Sequence, residues 1–86
     1  ERLIIIGAGG YAKSVLDSID YYNYRITGFL LKIEKSEHLG YPIVARSLDE
    51  IEEREKYFYF IAIGNNMRRK VWYDRLKERK LRLINV

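Results

Sequence analysis

The 86-residue chain contains no cysteine, a single proline and no long hydrophobic run. Without cysteine it can form neither a disulfide framework nor a thiolate zinc site, and it has no cysteine nucleophile, so a cytoplasmic location is expected. Its apolar runs, such as residues 3–6, are far shorter than the roughly 20 residues of a membrane span. The sequence therefore predicts neither a disulfide-stabilised secreted domain nor a membrane protein.

The composition is that of one globular domain. Apolar residues make up 48% of the chain and charged residues 33%, and at this length about 60 to 65% of the unfolded surface is buried on folding. We expect residues 1–86 to form a single domain. Because the chain opens on Glu1 and ends on the apolar stretch 83–86, we also expect it to be a piece of a longer protein.

The net charge of +4 is compatible with nucleic acid or with any anionic ligand. The excess is not concentrated, however. The basic runs at 68–70 and 77–80 lie in helical stretches with acids interspersed, which is typical of a solvated helix face. No nucleic-acid partner is expected.

The first half of the chain alternates strand and helix patterns. Residues 3–6 form a β-branched run that ends at glycine, as a strand buried on both faces does. Helical spacing then begins at Gly10 and places four apolar residues on one face, Ala12, Val15, Leu16 and Ile19. A second strand is predicted at 25–31, and a short third one at 41–44, where Pro42 favours an edge or a strand start.

The second half repeats the alternation. Ser47 and Glu50 have the spacing of a capping box, which predicts a short helix over 48–54. Residues 57–63 are the strongest strand signal. Asn65 or Asn66 then caps a helix over 67–80, and a last strand follows at 81–86. In that helix the inward side chains are predicted to be Met67, Val71, Leu76 and one side of Trp72.

This order predicts an α/β fold with a parallel sheet, right-handed crossovers and helices on both faces. In a Rossmann-like half-fold the five predicted strands, numbered along the chain, take the order 3-2-1-4-5. The first and fourth strands are then neighbours. Their carboxyl ends, Gly7 and Gly64, are expected to flank one crevice.

The segment from Gly7 to Ala12 has the G-x-G-x-x-A spacing of a phosphate-binding turn between a strand and a helix. Gly7 permits the tight turn, Gly9 and Gly10 allow close approach of a phosphate, and Ala12 keeps the helix close to the strand. Amides at the helix start favour an anion. The alternative is that the glycines only make the turn.

A dinucleotide site needs an acid at the end of the second strand to bind the ribose hydroxyls. This chain has Leu31 and Lys32 there, with Glu34 as the nearest acid, which counts against NAD. Lys32 and Lys35 are weak candidates for binding a 2′-phosphate.

Across the crevice, Gly64, Asn65 and Asn66 can bind a sugar or a phosphate, or simply cap a helix. No metal-ligand cluster, acid pair or nucleophile with a base is visible. The single histidine, His38, falls in a polar loop, where a surface role is favoured.

The pattern resembles the N-terminal domain of bacterial sugar O-/N-acyltransferases, of the sialic-acid O-acetyltransferase and UDP-4-amino-sugar N-acetyltransferase types. The resemblance runs through nearly the whole chain, in the segments 4–17, 26–30, 39–44, 60–66 and 81–86.

The resemblance implies a Rossmann-like module that binds a UDP-sugar through Gly7, Gly9, Gly10, Tyr11 and Ala12, with Gly64, Asn65 and Asn66 opposite. It also implies a following left-handed β-helix domain, absent here, that binds acetyl-CoA, supplies the catalytic histidine and drives trimer formation. The 86 residues alone are then expected to bind without catalysis, with no cofactor of their own, and as a monomer.

The chain departs from the family in two places. Tyr11 stands where a histidine is common, and Leu31 and Lys32 stand where an acidic pair is common, so altered nucleoside contacts are expected. Two other functions remain open: a module that senses NAD(P) or CoA, and a structural or oligomerising domain with a lapsed ligand site. The second is suggested by Trp72 and the eight tyrosines, among them Tyr21, Tyr22 and Tyr24.

Overall fold

A computed structural model of the protein describes residues 1–9, 11–18 and 23–84, without the side chains of Tyr11 and Val15. Over these residues it has a six-stranded sheet, two α-helices and two short 3-10 turns. The strands are β1 (Arg2–Ile6), β2 (Arg25–Leu30), β3 (Glu37–His38), β4 (Tyr41–Ala45), β5 (Phe58–Ile61) and β6 (Arg82–Leu83). The helices are α1 (Tyr11–Ser18) and α2 (Asn66–Glu78), and the 3-10 turns are Leu48–Glu50 and Arg54–Lys56.

The sheet confirms the α/β class and corrects one detail of its topology. The strand order is β3-β4-β2-β1-β5-β6. The five predicted strands keep their expected relative order, but β3 is an additional edge strand that pairs antiparallel with β4. The sheet is therefore mostly rather than wholly parallel. Leu39 and Gly40 both have positive φ, 51° and 83°, and so fold Glu37–His38 back onto β4 in a tight hairpin.

Side chains of the central strand alternate between two cores. Ile4 and Ile6 face one cluster, with Tyr59, Leu76 and the first 3-10 turn, whereas Leu3 and Ile5 face the other. The second cluster contains Ala12 of α1. The two helices consequently cover opposite faces of the sheet, as predicted, because a strand buried on both faces needs a partner on each side.

Helix α1 packs through Ala12, which is 1% exposed, and through the half-buried Leu16. The other two predicted inward positions, the side chain of Val15 and Ile19, lie outside the described residues. The same is true of Tyr21 and Tyr22. Tyr24 packs edge-on against Phe58 with ring centroids 5.3 Å apart, so this tyrosine belongs to the core rather than to an exposed aromatic patch.

The helix predicted over 48–54 is wrong. Two 3-10 turns stand there instead, and Glu53 between them has a left-handed φ of 54°, which interrupts any continuous helix. Ser47 makes no side-chain capping bond. In a capping box the Glu50 carboxylate accepts from the amide of Ser47. Here it accepts from the amide of Arg46, one residue earlier, at 3.3 Å.

Helix α2 begins one residue earlier than predicted and ends at Glu78. The Asn65 side chain accepts from the amide of Arg68 at 3.0 Å, which confirms Asn65 as the cap. Leu76 is fully buried and Trp72 half-buried, as expected. Met67 and Val71, however, are 80% and 49% exposed, so their predicted inward placement is wrong.

The remaining strands are shorter than predicted. The predicted strand at 57–63 is reduced to Phe58–Ile61, and the last one to Arg82–Leu83, with Asn85 and Val86 outside the described residues. In the described ranges, no helix is both long enough and apolar enough to span a bilayer.

Candidate functional site

The turn after β1 is shaped by Gly7. Its φ of 87° lies in the left-handed region, which a side chain disfavours. A Cβ atom there would lie 2.6 Å from Cγ1 of Ile63, and the Gly7 amide donates to the Leu30 carbonyl at 3.0 Å. Gly7 thus joins the ends of β1 and β2 while passing close to the residues that follow β5.

Gly9 brings the same turn against the backbone after β5. Its amide donates to the Ala62 carbonyl at 2.9 Å, and a Cβ atom at Gly9 would lie 2.7 Å from that oxygen. The same Cβ would lie 3.4 Å from the amide nitrogen of Gly64. The turn after β1 and the segment after β5 are therefore in direct contact, as the predicted strand order required.

Several backbone amides of the turn already donate hydrogen bonds within the protein. Those of Gly7 and Gly9 are bonded to neighbouring strands, and that of Ala12 donates to the Gly9 carbonyl at 2.9 Å. Ala8 is exposed, and its amide donates to no described residue. Gly10 lies outside the described residues. The glycines at 7 and 9 thus serve close backbone packing, and Ala8 is the described turn residue with an available amide.

Gly64, Asn65 and Asn66 are exposed at the start of α2. The side-chain oxygen of Asn65 caps α2, so this residue has a structural role. Asn66 opens the helix, and its side chain contacts no described partner through a hydrogen bond.

A cleft of about 520 Å³ lies at the carboxyl ends of the central strands, between α2 and the segment after β4. This volume falls within the range of small-molecule sites. The lining comprises Ile6, Gly7, Leu30, Leu31, Lys32, Arg46, Ser47, Leu48, Asp49, Ile63, Met67, Arg68, Val71, Trp72, Arg75 and Arg79. Of the residues predicted to bind a ligand, Gly7 is in this lining, and Gly9, Ala12, Gly64, Asn65 and Asn66 are not.

The cleft is strongly basic. Its cationic lining residues are Lys32, Arg46, Arg68, Arg75 and Arg79, against the single acid Asp49 among the described lining residues. Asp49 is 82% exposed and lies 3.9 Å from both Arg54 and Arg79, so it is shared with a cation outside the cleft. Such an arrangement attracts anions.

Two of the five cations have uncommitted side chains. Neither Lys32 nor the Arg68 guanidinium forms a hydrogen bond or an ion pair with a described residue. Arg46 is more constrained, because its Nε donates to the Ile33 carbonyl at 3.2 Å. Lys32 and Arg68 are therefore the cations most available to a ligand.

Helix α2 contributes aromatic and apolar side chains to the cleft beside its cations. The Arg75 guanidinium carbon lies 5.0 Å from the ring centroid of Trp72, within cation–π range. Met67 and Val71 also line the cleft. Their exposure is thereby explained, since the first turns of α2 border an open cleft, whereas Leu76 is buried in the core and Trp72 packs partly against it.

The match to known proteins covers most of the chain. The family described as the PglD N-terminal domain matches residues 2–76. The chain belongs to this family. The family is the N-terminal domain of bacterial acetyltransferases such as PglD, which confirms the resemblance found in the sequence. Comparison with curated proteins and with solved structures gave no match.

Few groups that could transfer a proton line the cleft among the described residues. The described lining contains no histidine and a single carboxylate, that of Asp49. His38 lies in β3, where its ring packs edge-on against Phe29 at 5.0 Å. Over the described ranges, no three histidine or acidic side chains are grouped closely enough to hold a metal ion.

Most of the residues that line the cleft were not predicted from the sequence. The basic runs that contain Arg68 and Arg79 predict only a solvated helix face, and no sequence pattern singles out Arg46 or Arg75. The available signal was position. Lys32 and Arg46 lie within two residues of the carboxyl ends of β2 and β4, at the edge where open α/β sheets bind ligands.

Proposed function

We propose that this domain binds the nucleotide-sugar substrate of a sugar acetyltransferase, in the basic cleft at the carboxyl edge of its sheet. One observation carries the proposal. In a PglD N-terminal domain, a cleft of ligand size with an excess of cations opens beside the glycine turn that follows β1.

The topology supports this location. Strand β1 has β2 on one side and β5 on the other, and α1 and α2, which follow β1 and β5, pack on opposite faces of the sheet. Ligands of open α/β sheets bind at such a switch point, outside the carboxyl ends of the strands. The cleft occupies that place.

The chemistry of the lining suits a nucleotide-sugar. Cationic side chains complement a diphosphate, and the wall at Trp72 offers an aromatic and apolar surface for a flat base or a sugar ring. In the proposed complex the diphosphate lies over Ala8, next to the lining residue Gly7, with Gly64, Asn65 and Asn66 bordering the same end.

On this proposal the domain binds and does not catalyse. Transfer of an acetyl group from acetyl-CoA to a sugar amine or hydroxyl belongs to a second domain outside this chain, which also supplies the general base. The UDP-sugar, the trimer of the whole protein and its cytoplasmic location are part of the same proposal.

Ala8 offers a direct test, because it is exposed and its backbone carries no left-handed φ. Ala8→Asp places a carboxylate where the diphosphate is expected, whereas Ala8→Asn has nearly the same shape without the charge. We expect UDP-N-acetylglucosamine to bind the parent chain saturably in calorimetry. Ala8→Asp should lower the affinity at least tenfold relative to Ala8→Asn, with unchanged thermal stability.

Equal affinities of the two Ala8 variants would contradict the diphosphate position, and no binding at millimolar concentration would contradict the function. NAD(P)H and CoA in the same screen test the nucleotide-sensing alternative. A Gly9→Val variant is unsuitable as the negative control, because its side chain would collide with the Ala62 carbonyl and disturb the fold itself.

A further inference from the structure

The charge of the cleft exceeds what a nucleoside diphosphate sugar needs. Five cations and one acid among the described lining residues leave a net of four positive charges. A diphosphate ester supplies two negative charges. Because Asp49 is shared with Arg54 outside the cleft, its carboxylate offsets this excess only in part.

The excess comes from three separate parts of the chain. Lys32 follows β2, Arg46 follows β4, and Arg68 stands in the first turn of α2. The strand order brings them together, since β2 lies between β4 and β1 at the edge that the cleft occupies. Clustered cations repel one another, and an anion among them relieves that repulsion.

Lys32 follows β2, at a position with a known binding role in nucleotide-binding α/β sheets. The residue at the end of the second strand contacts the ribose, where an acid selects free hydroxyls and a cation accommodates a phosphate. Here Leu31 and Lys32 line the cleft, and the Lys32 ammonium has no described partner. The local charge is thus the reverse of that in a site for a neutral ribose.

We propose, on the basis of the function above, that the cleft selects a nucleotide ligand with a third anionic group beyond its diphosphate, recognised by Lys32 and Arg68. The shared chemistry is an additional carboxylate or phosphate. It has two sources: an acidic sugar, or a phosphorylated ribose.

Two matched ligand pairs separate these sources. UDP-glucuronic acid differs from UDP-glucose by a carboxylate in place of a hydroxymethyl group, and NADP⁺ differs from NAD⁺ by the ribose phosphate. We expect the more anionic member of one pair to bind the parent chain about tenfold more tightly at low salt, with the preference shrinking as salt rises. The preferred pair identifies the source.

A double variant tests the named cations. Lys32→Met with Arg68→Met removes two charges from the cleft, and Arg25→Met with Lys35→Met removes two charges outside it, Arg25 being at the opposite end of β2. In the Lys32 and Arg68 double variant, the preference for the more anionic ligand should fall to within about threefold. The less anionic ligand should still bind. The Arg25 and Lys35 double variant should preserve the tenfold preference.

The outcomes distinguish this inference from the function on which it rests. Equal binding within both pairs, with UDP-glucose bound, would overturn the inference and leave the nucleotide-sugar function standing. A preference that survives in the Lys32 and Arg68 variant would overturn the role of these residues. Failure of every ligand to bind would overturn both.

Discussion

Tyr59 occupies the centre of the core on the α2 face, and its hydroxyl is the polar atom that the packing has to satisfy. The side chain is 0% exposed, and its hydroxyl donates to the Arg54 carbonyl at 2.8 Å. Burial raises the pKa of the phenol to about 12, with the neighbouring Tyr57 acting in the same direction. The 3-10 turn that contains Arg54 is therefore tied to the middle of the sheet.

The raised pKa predicts how stability responds to alkaline pH. Because the folded phenol ionises above its unfolded value of 10, the stabilisation it provides is complete below pH 10 and is lost as the pH rises towards 12. Tyr59→Phe removes the hydrogen bond and should cost about 1 kcal/mol at pH 7. Urea denaturation of both proteins should show this difference shrinking to near zero by about pH 11, and a constant difference would contradict the assignment.

At the glycine turn and the cap of α2, local rules predict part of what the structure shows. The need for glycine at Gly7 and the capping role of Asn65 followed from local rules, and both hold. The ligand role of the turn did not follow, because spacing alone cannot show that the Gly9 amide is bonded to Ala62. That contact joins residues more than fifty positions apart in sequence.

Most strands and both helices were predictable because their signals are local. Continuous β-branched and aromatic runs mark β1 and β5, and helical spacing or a cap after each run marks α1 and α2. Strand β3 was missed because Glu37 and His38 have no strand pattern and are held by the adjacent turn. The helix at 48–54 was predicted wrongly because the spacing of Ser47 and Glu50 outweighed the left-handed Glu53, which no local signal marks.

Helix α2 is anchored to the sheet chiefly by its second half, which leads to a testable asymmetry. Leu76 is fully buried, so Leu76→Ala should cost about 2 to 4 kcal/mol of unfolding free energy. Val71→Ala, half-exposed beside the cleft, should cost less than about 1 kcal/mol. Denaturant unfolding of the two variants measures this, and equal losses would contradict the described packing of α2.

For the molecule taken together, the cleft is a product of topology rather than of any motif. Lys32, Arg46 and Arg68 come from distant parts of the chain, and each resembles an ordinary surface cation in sequence. Only the arrangement β4-β2-β1-β5, with α2 on one face, brings them to one edge. The fold could be predicted from sequence, and the strand-end rule located the edge, but the basic character of the site required the structure.

The most direct test of the account is an NMR titration of the isotope-labelled domain with UDP-N-acetylglucosamine, followed through its backbone amides. Binding in the cleft should give saturable shifts that cluster at the carboxyl ends of the strands, at Gly7, Ala8, Lys32, Ser47 and Arg68, with the amide of Arg25 at the opposite end of β2 unchanged. Shifts confined to other surfaces, or no saturable change at millimolar ligand, would contradict the assignment of the cleft as a nucleotide-sugar site.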